Sequence, residues 1–105
     1  MAHQTVICTY RARPDAEDDF RQLLARHWQT LRALEFVTED EPVLLRSTDE
    51  PTSGEIFPWV DGGIARAHTH PDVLAIWEPM EPLLEERGGR PRWEFPHFQP
   101  VTLAE

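Results

Sequence analysis

The sequence contains no lysine and no asparagine, and its only cysteine is Cys8. Without a side-chain primary amine, any mechanism through a Schiff base is excluded. The ten cationic side chains are all arginines, scattered among 19 acids for a formal charge of -9. That balance lacks the clustered positive footprint needed to bind nucleic acid, and it does not favour an anionic membrane as partner. One cysteine makes no internal disulfide, in keeping with a reducing compartment. No segment approaches membrane-spanning length, and Met1 to Thr5 lacks the basic stretch and apolar run of a secretory leader, so a cytoplasmic location is expected. Repeats and low-complexity tracts are absent. The pairs Gly62-Gly63 and Gly88-Gly89 lack the spacing and the lysine of a phosphate-binding loop.

What is present reads as one globular domain over residues 1–105. The hydrophobic share is 40%, ten residues are aromatic, and the ten prolines act as punctuation. Thr5 to Tyr10 forms a first strand with Val6, Cys8 and Tyr10 on one face and Thr5, Ile7 and Thr9 on the other. Pro14 and Asp15 open a long helix with Glu17, Asp18 and Asp19 in its first turn. Its apolar stripe runs through Phe20, Leu23, Leu24, His27, Leu31 and Leu34. Pro42 leads into a strand over Val43 to Arg46. Thr48 to Gly54 is a turn, and Glu55 to Val60 is the hairpin partner, in which Pro58 implies an unpaired position or a bulge. Asp61 is the expected N-cap of a short helix over Gly62 to His68. Pro71 starts another helix, carrying Val73, Ile76, Trp77, Met80 and Leu84, which Pro79 and Pro82 bend or end. After Gly88 and Gly89, Trp93 to Phe98 form a last strand.

This βαββαβ order predicts an α+β, ferredoxin-like domain with one antiparallel sheet and helices on a single face. Alternation places Ile7, Leu44, Ile56 and Val60 opposite Cys8, Leu45, Phe57 and Trp59, so both sheet faces are apolar while the chain covers only one. Packing two sheets face to face across a two-fold axis resolves this, and a homodimer is expected.

The stretch Trp59-Val-Asp-Gly-Gly-Ile-Ala-Arg-Ala-His68, followed by His70-Pro71, resembles the antibiotic-biosynthesis monooxygenase-like family, the dimeric α+β barrels. The first strand, followed by Arg13-Pro14-Asp15 and an acidic amphipathic helix, is similar too, and the resemblance extends from about Val6 to Phe98. It implies a pocket between sheet and helices. In some members that pocket holds a phenolic or quinol-like substrate, stabilises its phenolate and oxidises it with no metal or flavin. Other members degrade haem with an Asn, Trp and His set, which a chain without asparagine does not match.

His68, at a helix end near Trp59, is the candidate base or phenolate partner; its plainer role is to cap the helix. Trp59, Trp77, Tyr10, His97 and His27 are the candidate substrate-binding residues, with Trp59 the foremost wall. The competing role for the tryptophans is to fill a small core, and that for His27 is to be a satisfied core histidine. His70 reads as the start of a helix. A metal site from His68, His70 and Glu55 or His97 is not expected, because the two histidines straddle a helix end, and no cofactor is expected. Cys8 reads as a small core residue.

Three functions fit these features. One is a small-molecule-binding homodimer that oxidises an aromatic or quinol-like compound without cofactor. The second is a non-catalytic ligand-binding or regulatory dimer of the same fold, and the third an isomerase or cyclase of a small lactone or polyketide. An open cavity bordered by His68 and Trp59 favours a ligand site, whereas side chains filling that space favour packing alone.

Overall fold

A computed structural model describes residues 4–103. Strand β1 (Gln4–Arg11) leads through a 3-10 turn at Pro14–Ala16 into helix α1 (Glu17–Ala33). Strands β2 (Val43–Arg46) and β3 (Thr52–Trp59) form a hairpin. The short helix α2 (Gly63–Ala67), helix α3 (Pro71–Met80) and strands β4 (Trp93–Glu94) and β5 (His97–Phe98) follow. The sheet order is β2-β3-β1-β4 with β5 on the same edge of β1, and every pairing is antiparallel. This is the expected ferredoxin-like α+β arrangement.

The β1–β3 ladder is unbroken from Gln4↔Trp59 to Arg11↔Thr52, so Pro58 sits opposite Thr5 without a bulge. In an antiparallel strand, the nitrogen and oxygen of one residue point to the same side. The Pro58 carbonyl accepts the Thr38 N–H at 3.3 Å, away from β1, so the proline nitrogen faces a position where β1 needs no donor. Three residues assigned to the turn, Thr52, Ser53 and Gly54, belong to β3, because they pair with Arg11, Tyr10 and Thr9.

Two other expectations are corrected. Asp61 does not cap α2; Gly62, with φ 77°, occupies the N-cap and no side chain bonds there. Register places Leu44 opposite Glu55 and Leu45 opposite Gly54. Leu44 therefore shares the helix-covered face, and Leu45 joins Val43, Ile56 and Ile7 on the other, the reverse of the alternation read from sequence. The last strand is also divided. Phe95 and Pro96 separate β4 from β5, although the Pro96 carbonyl still accepts the Ile7 N–H at 3.1 Å. Arg11 holds this edge in place: its guanidinium donates to the Pro91 carbonyl (2.7 Å) and to Glu94 Oε1 (2.8 Å).

The core lies between the sheet and the helices. Val6, Cys8, Tyr10, Phe57 and Trp59 from the sheet meet Phe20 and Leu31 of α1 and Val73, Ile76 and Met80 of α3. The opposite face carries Ile7, Ile56, Val43, Leu45 and Phe98, of which the last three are 52%, 56% and 49% exposed. At the start of α2, Gly63 packs so closely on the Phe36 carbonyl that a Cβ there would overlap it. No helix among the described residues is long and apolar enough to cross a membrane.

Candidate functional site

Helices cover their sheet face incompletely and leave a cavity of about 360 Å³. β1 supplies Val6, Cys8 and Tyr10 to its floor, and β3 ends in it with Trp59. His27 enters from α1, Ile64 and His68 from α2 and its C-cap, and Trp77 and Glu78 from α3. Trp93, Phe95 and His97 close the side along the last segment, and Glu81 stands nearby. All six residues singled out from the sequence, His68, Trp59, Trp77, Tyr10, His97 and His27, thus border one space. The space is open and not filled by side chains. Cys8 and Trp93, read mainly as core, line it as well.

The reason these side chains converge is strand parity and helix phase. Tyr10 and Trp59 fall on the inner positions of paired strands, and His27 lies on the buried stripe of α1 between Phe20 and Leu31. Trp93 and His97 stand opposite Tyr10 and Val6, so the alternating residues of the last segment point inward.

Sequence reasoning missed the polar centre. Glu55 is fully buried on the inner face, and its Oε1 receives the Tyr10 hydroxyl at 2.9 Å and lies 2.9 Å from His27 Nδ1. The Trp77 indole N–H donates to His27 Nε2 at 2.8 Å. Because an indole nitrogen only donates, Nε2 must be the bare nitrogen and Nδ1 must carry the hydrogen, which it gives to Glu55. The chain is therefore ordered from Trp77 through His27 to Glu55, with Tyr10 as a second donor. Glu55 Oε2 and the indole nitrogen of Trp59 are buried without a partner among the described residues. From the sequence Glu55 reads only as a metal ligand, yet its parity with Phe57 and Trp59 is a signal that it faces inward.

Burial holds the neutral forms of two floor residues. It pushes the Cys8 thiol up to about 12, with the Glu55 charge adding to the effect. Burial, then the same charge, raises Tyr10 well above its usual range. Cys8 is thus a thiol and no nucleophile. His68 is exposed at the mouth and sits edge-on to the Trp77 ring, 5.1 Å between centroids. His70 caps α3 through an Nδ1 that accepts the Asp72 N–H at 3.1 Å, so its imidazole is committed there.

No family model matches the sequence, and no curated protein matches it. Solved structures do. Rv0793 from Mycobacterium tuberculosis is similar with a TM-score of 0.77 at 20% identity, over 98% of this chain and 99% of that one. An antibiotic biosynthesis monooxygenase gives 0.77 at 13% identity, over 94% and 99%. A variant of SnoaB, a cofactor-independent oxygenase from Streptomyces nogalater, gives 0.74 at 21% identity, over 98% of each. The chain has the fold of the antibiotic biosynthesis monooxygenase-like proteins.

Proposed function

We propose that the protein binds a small, flat aromatic molecule of phenolic or quinol type and oxidises it with molecular oxygen, without metal or flavin. The observation that carries this reading is the cavity itself. Its walls are largely aromatic, as a flat aromatic ligand would need. No arginine is among the lining residues, and Glu78 and Glu81 are, so the site suits an uncharged ligand better than a carboxylate.

His68, at the mouth, is the candidate base that takes a phenolic proton; the electron-rich anion then reacts with oxygen directly. For a substrate such as an anthrone, the ring CH2 becomes a carbonyl. One oxygen atom enters the product, and the other leaves as water with the two hydrogens of the CH2. Oxygen uptake on a panel of anthrones and hydroquinones tests this. Wild type is expected to consume one O2 per substrate and His68→Ala to be slower by roughly 100-fold, the usual weight of a general base. Equal inactivity of both proteins on the whole panel would refute the reading.

The same reading includes a homodimer of cytoplasmic location. The outer face, with Ile7, Ile56, Val43, Leu45 and Phe98, is suited to burial against a second copy. Sedimentation at micromolar concentration tests it, and a stable monomer would overturn it.

A further inference from the structure

The cavity holds a second imidazole whose surroundings differ from those of His68 in every respect that matters to proton transfer. His27 is buried, its Nδ1–H is spent on Glu55, and its bare Nε2 is covered by a single donor, the Trp77 indole. We propose that His27, held by Glu55 in the tautomer with a bare Nε2, is the proton acceptor for a ligand hydroxyl that reaches the inner end of the cavity, and that Trp77 is the cover on its lone pair. This rests on the phenolic-ligand reading above and adds to it a second, inner base.

The argument is one of charge. The Trp77 donor on Nε2 makes the resting imidazole the neutral one, and Tyr10 and His27 are the donors on Glu55 Oε1 among the described residues. Among the described residues no arginine pairs with Glu55, and its Oε2 has no partner. A proton arriving at His27 Nε2 turns this pair into carboxylate and imidazolium, whose mutual attraction is strong where water is excluded. The carboxylate also fixes the tautomer that presents Nε2, as the acid does in a serine-protease triad.

The exchange conserves bonds. The ligand O–H replaces the indole N–H at Nε2; the O–H bond breaks and an Nε2–H bond forms, leaving a phenolate oxygen. The indole N–H, which has lost its acceptor, is then free to donate to that oxygen. Trp77 is half-buried and lines the cavity, with its ring beside both His27 and His68. His68 has no carboxylate behind it among its hydrogen bonds or ion pairs within the described residues, and acts at the mouth. Glu55 does not line the cavity and is a positioning residue.

The test uses 4-nitrophenol under nitrogen, so that no oxidation is involved, buffered below the pH at which the free phenol ionises. Nitrogen-15 spectra of the imidazoles are expected to show His27 with one protonated nitrogen in the free protein and two when the phenol is bound. The visible phenolate band should appear with it, the ionised fraction rising on the order of tenfold over solution, one unit of pKa. Glu55→Gln should lose both signals. Where Glu55→Gln does not fold, the wild-type nitrogen spectra decide alone. A phenol that binds while His27 keeps a bare nitrogen overturns the inner base and leaves the ligand site standing. Failure of 4-nitrophenol and of a hydroxyanthraquinone to bind at all overturns both.

Discussion

The two faces of the sheet are both apolar, but they are built for different work. The inner face combines large aromatic side chains with a buried carboxylate and its donors, and it leaves a space. The outer face carries its one buried polar group among the described residues, Arg11 paired with Glu94, at its end, and Val43, Leu45 and Phe98 on it are half exposed. An apolar face with a hydrogen-bonded polar group at its heart favours one arrangement, because donors from separate elements must meet one acceptor; a face whose exposed side chains are apolar specifies only that it be covered.

The largest difference should appear on truncation. Phe57→Ala, on the inner face, is expected to lose about 3–5 kcal/mol of stability in denaturant titrations, since its side chain is buried and the neighbours only partly collapse. A loss below about 1 kcal/mol would break the contrast. Tyr10→Phe should cost about 1–3 kcal/mol, because it strips one of two donors from the buried Glu55 carboxylate.

Alkaline titration sharpens the same point. Tyr10 and Cys8 are acids whose folded values lie above their usual 10.0 and 9.0, so the fold favours their neutral forms. Their contribution is whole below those usual values and is lost as the pH climbs above them towards the folded ones. Tyr10 is the only tyrosine, so tyrosinate absorbance reports it alone. It should stay flat through pH 10.0 and rise only with unfolding, and Cys8 should resist thiol reagents until the same point. Early tyrosinate formation in the folded protein would mean that water reaches the inner face. Smallest in the monomer is Leu45→Glu on the outer face, expected to change stability by under about 0.5 kcal/mol. Sedimentation should nevertheless show the proposed dimer dissociating, and an unchanged oligomer would remove Leu45 from the proposed interface.

Much of the fold is legible in the sequence because strong patterns mark it. The stripe from Phe20 to Leu34 makes α1, and Pro71 starts α3 where a missing N–H costs nothing. The parity of β2 is not legible, since Val43, Leu44 and Leu45 do not alternate and only the register with β3 assigns their faces. The break between β4 and β5 comes from Pro96, whose lack of a donor the edge of β1 tolerates. At the site, aromatic and histidine side chains could be chosen by residue type. Glu55 could not, because an acid in a strand reads by type as solvent-facing, and only its parity with Phe57 and Trp59 marks it as inward.

Gly63 has a consequence beyond its own turn. With no Cβ, it allows the α2 backbone to rest on the Phe36 carbonyl, and α2 carries Ile64 and leads to His68 on the cavity wall. It works as a spacer of zero thickness that sets the aperture. In Gly63→Ala a methyl group would act as a wedge, tilting one jamb of the doorway while the floor keeps its shape. Ligand size preference should then shift, measurable as altered relative affinities for one-ring and three-ring phenols, with Tyr10, His27 and Glu55 unmoved.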